Sequence, residues 1–195
     1  MPTQQTIPYN SGVFFITFTC YRWLSLIDIT KGYNLVYKWF DILKSNGHYI
    51  IGFVIMPNHV HALIAFADTG KKINTIIGNG KRFMAYEIIE RLKAQNENAL
   101  LQQLAAAVEK TRRLANKQHE VWELSFNWKE CHSNKIITQK LNYMHNNPCT
   151  GKWQLVPTPV DYLHSSAAFY ITGENKYYPV TNYQELSDIA FIIKT

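Results

Sequence analysis

Charged side chains are scarce in this chain, at 17% of its 195 residues, and acidic ones are scarcest, with fourteen Asp and Glu against twenty Lys and Arg. Set against 47% hydrophobic residues, that scarcity excludes a disordered chain, and a folded domain is expected. Cysteine is sparse too: Cys20, Cys131 and Cys149 are an odd number at no metal-ligand spacing. That excludes a disulfide framework and a cysteine zinc site. Long apolar runs are missing, since Val13 to Phe18 and Tyr49 to Met56 fall far short of the roughly 20 residues a membrane span needs. The N-terminus lacks a basic region followed by an apolar run and a cleavage site, so a reduced, cytoplasmic location is expected. No internal repeat, low-complexity linker or domain boundary is visible. A single domain over 1–195 with an irregular C-terminal tail is therefore expected.

What the chain does have is an uneven positive charge. The net +6 divides into +1 over residues 1–70, +5 over 71–135 and 0 over the remainder. Basic and acidic residues alternate in the middle segment, as on a solvated helix face. The excess also suits a polyanionic partner, so nucleic acid is a live option and not a requirement.

The hydrophobic pattern sketches the elements. Val13 to Thr19 is β-branched and aromatic and reads as a strand. Leu35, Val36, Trp39, Phe40 and Leu43 recur at helical spacing, with Asp28 or Thr30 as the cap and Gly47 after the end. His48 to Met56 and Val60 to Phe66 read as strand segments broken by a turn at Pro57-Asn58. From Ile73 the composition turns helical, with an interruption expected at Gly78-Asn79-Gly80 and a second long helix over Ala99 to Ala115. Val121 to Phe126 alternates like a strand, and Lys135 to Asn146 reads as a helix stopped at Asn147-Pro148. This order predicts an α+β fold: a ferredoxin-like sandwich, mostly antiparallel, with helices packed on the sheet.

Two segments carry chemistry. In an extended chain His59 and His61 point to the same face, either as satisfied core histidines or as a two-pronged metal grip. On a helix Tyr143 and Asn147 are four apart and share a face, so a phenol and an amide oxygen can meet one site, while His145 points elsewhere. With twelve tyrosines in the chain, packing is the ordinary duty of any one of them.

Together these segments resemble the HUH single-tyrosine transposases of the insertion-sequence-200-like family, especially the REP-associated tyrosine transposase branch. Met56-Pro57-Asn58-His59-Val60-His61 is similar to the family's histidine, hydrophobe, histidine motif with its leader. Tyr143-Met144-His145-Asn146-Asn147-Pro148 resembles the branch's Tyr-Ile-His-x-Asn-Pro signature. Phe15 to Phe18, Trp122-Glu123 and Asp161 to Ser166 add matches in family order, although Leu163-His164 stands where the branch has Pro-Trp.

The resemblance implies a metal-dependent endonuclease and strand transferase on single-stranded DNA hairpins. Tyr143 would be the nucleophile, and His59, His61 and Asn147 the ligands of Mg²⁺ or Mn²⁺. Asn147 replaces the Gln of insertion-sequence relatives and is one methylene shorter, so His145 is the reserve ligand. The resemblance further implies a monomer, against the homodimers of insertion-sequence relatives. Lys81, Arg82, Arg112 and Arg113 are the expected phosphate contacts, and Trp23, Trp128 and Trp153 the aromatics available for stacking on unpaired bases. Two alternatives stay open. One is another HUH nuclease, a replication initiator or relaxase, for which the chain has no room for the usual extra domains. The other is a non-catalytic hairpin-binding module, which would not need His59, His61, Tyr143 and Asn147 together.

Overall fold

The apolar run at the start becomes strand β1 (Gly12–Thr19), and it is apolar on both sides because both faces of the sheet are covered. The computed structural model describes residues 6–186. After β1 come a single turn, α1 (Leu26–Ile29), and helix α2 (Tyr33–Ser45). Strands β2 (Tyr49–Ile55) and β3 (His59–Phe66) follow, then helices α3 (Ile73–Ala94), α4 (Asn98–Ala106) and α5 (Lys110–Leu114). Strand β4 (Asn127–Glu130) closes the sheet, and helices α6 (Asn134–Asn146) and α7 (Ala167–Thr172) complete the regular elements.

The four strands lie in the order β2-β3-β1-β4, each pair antiparallel. This is the split arrangement of a ferredoxin-like α+β sandwich, as the sequence predicts. Phe14, Ile16, Phe18, Phe53, Val60 and Ile64 form one core with α2 and α3, while Val13, Phe15, Val54 and Leu63 form the other with Ile137, Leu141 and Met144 of α6. The outer edge of β2 is occupied: Ile55 N–H donates to the His164 carbonyl, Ser166 N–H to that of Phe53, and Thr181 N–H to that of Ile50. Those contacts cover an edge that would otherwise template aggregation.

Several elements differ from the expectation, each for a packing reason. Gly78 and Gly80 do not break α3, which runs unbroken for 22 residues. A Cβ at Gly80 would overlap the Trp39 indole, so this glycine serves the approach of α3 to α2. The helix expected over Ala99 to Ala115 is two, α4 and α5, separated where Val108 turns into the core. The last strand lies later than Val121 to Phe126, because Trp122 is held by a bridge to Cys20 and an indole hydrogen bond to the Lys81 carbonyl. Neither Asp28 nor Thr30 caps α2. The Thr30 hydroxyl donates back to the Leu26 carbonyl, and Asp28 accepts from Tyr33. The tail expected to be irregular contains α7, and its last nine residues lie outside the described ones.

Candidate active site

The turn between β2 and β3 fixes the first imidazole. The Pro57 carbonyl accepts from Ile27 and Asp28 N–H, and the Asn58 carbonyl from Cys20 N–H, which clamps the turn to the segment after β1. Asn58 is itself buried, and its Nδ2 donates to the Trp23 carbonyl at 2.8 Å. That leaves Oδ1 as the atom 2.7 Å from His59 Nδ1, so the imidazole carries its proton on Nδ1 and its lone pair on Nε2.

The second imidazole is fixed across the sheet. Thr17 of β1 lies opposite His61 in the register, and its hydroxyl meets Nδ1 at 2.6 Å. The Phe15 ring stacks on the imidazole at 5.3 Å between centroids. The hydroxyl both donates and accepts, so Nε2 is the nitrogen the ring offers when Thr17 takes the Nδ1 proton. The two imidazoles lie 4.8 Å apart between centroids and are each only 4% exposed. Burial pushes His59 down to about 4, helped by Lys152, and His61 down to about 3, helped by His59 and Lys140. Both are neutral at physiological pH, the form that ligates metals.

Helix α6 brings the tyrosine. It is capped by Ser133, whose hydroxyl accepts from Ile136 N–H. Gly52 makes room for the helix, since a Cβ there would lie 2.5 Å from Leu141 and 2.7 Å from Met144. The close approach sets the Tyr143 ring 5.5 Å from His61 and 6.1 Å from Phe15, with the residue still 56% exposed. Lys140, one turn earlier, places its ammonium 5.0 Å from the Phe15 ring centre and 5.7 Å from that of Tyr143. Asn147 lies half-buried at the end of α6, one turn after Tyr143 on the same face.

His145 lies apart from this cluster. It is buried, and its Nε2 is 2.9 Å from the Ser166 hydroxyl, which also accepts from Phe53 N–H. Among the described residues no three His, Cys, Asp or Glu side chains converge to hold a metal ion. Two neutral imidazoles with oriented Nε2 atoms fit a divalent cation, provided that amide, phenol or substrate oxygens supply the other donors.

Of the four expected phosphate contacts, three have partners within the chain, Arg113 among them through the Ala105 carbonyl at 2.7 Å. Arg82 and Arg113 are exposed. The Lys81 ammonium donates to the Glu123 and Ser125 carbonyls, and burial, with Lys117 nearby, pulls it down to about 8. Arg112 pairs at 2.6 Å with Glu120, a buried carboxylate that Lys117 also meets. Trp128 packs edge-on against Phe14 on the far face, whereas Trp23 and Trp153 flank His59. Sequence reasoning missed Thr17, Gly52, Lys140 and Lys152. Only Lys140 carried a signal, its position one helical turn before Tyr143.

No protein-family model matches the chain, and no curated protein matches it. Among solved structures the fold is similar to a REP-associated tyrosine transposase bound to a REP hairpin, with a TM-score of 0.56 and 14% identity over 91% of this chain and 88% of that one. A candidate transposase from Deinococcus radiodurans aligns with a TM-score of 0.42 and 16% identity, over 75% of this chain and 97% of that one. The first likeness, at this identity, is one of fold. No helix among the described residues is long and apolar enough to cross a membrane.

Proposed function

We propose that this protein is a metal-dependent, transposase-like nuclease and strand transferase acting on single-stranded DNA hairpins, with Tyr143 as nucleophile. One observation carries the reading: an exposed tyrosine stands 5.5 Å from one of two buried, neutral imidazoles. Exposure alone does not single it out, since Tyr86 and Tyr177 are as open; the neighbouring pair of imidazoles does. The fold likeness to a hairpin-bound tyrosine transposase supports the same reading and motivates the choice of DNA.

Chemically, the Tyr143 oxygen attacks the phosphorus of a backbone phosphodiester. The bond to the tyrosyl oxygen forms while the bond to the 3′ oxygen breaks; the phenolic proton leaves to solvent and the 3′ oxygen gains one. The products are a 5′-phosphotyrosine and a free 3′-hydroxyl. One phosphodiester replaces another, so attack by a 3′-hydroxyl on the linkage rejoins a strand without other reactants. His59 and His61 through Nε2, with Asn147 through its amide oxygen, would hold Mg²⁺ or Mn²⁺. The bound cation would stabilise charge developing on the phosphate oxygens. His145, engaged with Ser166, is left out of the ligand set. Lys140 offers its ammonium to the same phosphate. Arg82 and Arg113, being exposed, are the phosphate contacts carried forward. A cytoplasmic monomer built as one domain completes the proposal.

The test is a denaturing gel with labelled single-stranded hairpins taken from the gene's flanks, with Mn²⁺ or with chelator. The expected result is a metal-dependent protein-DNA adduct that Tyr143→Phe does not form, although that variant binds the DNA as well. Salt-sensitive binding with no adduct would instead favour the non-catalytic hairpin-binding module.

A further inference from the structure

Helices α2 and α3 cover the face of the sheet opposite α6 and the two imidazoles, and they meet where Gly80 lies against the Trp39 indole. Between them they leave a groove of about 420 Å³. Its walls run from Leu35 to Asn46 on α2 and from Ile76 to Glu87 on α3, roughly 16 Å along each axis. Each helix lends one face: Leu35, Trp39 and Ile42 on one side, Ile76, Phe83 and Met84 on the other. Leu35, Trp39 and Met84 are buried, whereas Ile42 and Phe83 stand at the rim 56% and 57% exposed. The volume is that of a small-molecule site, and the strand-transfer chemistry does not use it.

The polar groups of the walls point to what it takes. Trp39 is buried, and its Nε1 has no hydrogen-bond acceptor among the described residues, a rare state for an interior donor. His48, just after α2, is buried too. Its Nδ1 accepts from the Ala67 N–H at 3.2 Å, so the neutral ring carries a donor proton on Nε2. Burial, and then Lys71, pull this imidazole below its usual value and keep it neutral. Lys71, just before α3, lines the same end of the groove and pairs with no carboxylate among the described residues. Lys38 and Glu87 lie on the other side of the contact between Trp39 and Gly80, and their charges offset one another. One end of the groove is thus positive, and its length is apolar.

We propose that this groove binds an elongated apolar molecule with a single carboxylate head, of the class of medium-chain fatty acids. The head takes the His48 Nε2 proton as a hydrogen bond and faces the Lys71 ammonium, and the chain runs between Ile42 and Phe83 past Trp39. Burial of the chain supplies most of the affinity, and the head sets its direction. A nucleic-acid stem does not fit, because the walls offer apolar side chains and Glu87 where a stem needs a row of cations. The inference is independent of the reading of Tyr143 and the imidazoles.

The experiment is titration calorimetry of the full chain, without metal or DNA, against dodecanoate, decanoate and dodecyltrimethylammonium. Dodecanoate binds with a stoichiometry of about one. Decanoate and the cationic analogue each bind roughly tenfold more weakly, the first for lost apolar contact and the second for its charge. Lys71→Ala weakens dodecanoate about tenfold and narrows its advantage over the cation. Asn79→Trp adds bulk to the groove from an exposed position, and abolishes binding with the circular dichroism unchanged. In proton-nitrogen correlation spectra the indole resonance missing from Trp39→Phe shifts on saturation with dodecanoate, while those missing from Trp23→Phe and Trp153→Phe stay in place. No saturable binding, equal affinity for the cation, or binding that survives Asn79→Trp would overturn the proposal. So would dispersal of a dimer by Asn79→Trp in sedimentation velocity, or loss of hairpin binding in that variant, since a second copy or a nucleic acid would then be the occupant.

Discussion

Asn58 uses both ends of its amide, one on the Trp23 carbonyl and one on His59, and so decides which imidazole nitrogen faces the site. Replacing Asn58 with Ala frees the ring to rotate and to change tautomer. We expect Mn²⁺ affinity, measured by titration calorimetry, to fall roughly 10- to 100-fold in Asn58→Ala with little loss of folded structure. Burial also sets a pH dependence. His145 is pushed down to about 4 in the folded chain, against about 6.5 when unfolded. As pH falls the unfolded chain takes up its proton first. The stabilisation is complete above pH 6.5 and is lost progressively towards pH 4, amounting to about 3 kcal/mol for this residue. Burial pushes His164 to about 4 as well, which adds to the same window. Urea midpoints recorded from pH 7 to 4 should fall, and His145→Gln should flatten that fall.

At the scale of elements, the site depends on how closely α6 lies on the sheet. Gly52 sits at a register shift in β2, under Leu141 and Met144. A methyl group there must push α6 outward or displace both side chains, at about 1–3 kcal/mol. Since Tyr143 and Asn147 ride on α6 and the imidazoles on β3, Gly52→Ala should lower adduct formation at least tenfold, with a smaller loss of Mn²⁺ affinity because His59 and His61 stay in place. Equal loss of both would mean that the strand, not the helix, had moved. Most of this architecture was legible in the sequence: β1, α2, β2, β3 and α6 announce themselves by periodicity, and the two-residue spacing of His59 and His61 puts them on one face. What was not legible depends on contacts distant in sequence. Gly80 reads as a helix breaker until Trp39 is seen against it, and Val121 to Phe126 reads as a strand until Trp122 is seen anchored to Cys20 and Lys81. Lys81 and Arg112 read as free cations, because nothing local reveals the carbonyls of Glu123 and Ser125 or the buried Glu120 that engage them.

Across the whole molecule the charge of +6 suits a polyanionic partner, and the positions of the side chains decide how much of it is available. Arg82 and Arg113 are exposed, Arg113 while also donating to the Ala105 carbonyl, whereas Lys81 and Arg112 are held by internal partners away from full exposure. Affinity for hairpin DNA, measured between 50 and 200 mM salt, should therefore lose about one unit of logarithmic salt slope in Arg82→Ala and again in Arg113→Ala. Arg112→Ala should instead lower the melting temperature, because it leaves the buried Glu120 with one cation fewer.

In the proposed reaction Tyr143 becomes covalently joined to the 5′ side of a cleaved strand. The most direct measurement of that link is mass spectrometry of tryptic peptides from protein incubated with Mn²⁺ and single-stranded hairpin DNA, after the DNA has been digested to nucleotides. The expected result is a nucleotide attached through phosphate to Tyr143 in the peptide that carries it, absent when chelator is present. The same mass increment on another tyrosine, or an adduct that persists in Tyr143→Phe, would contradict it.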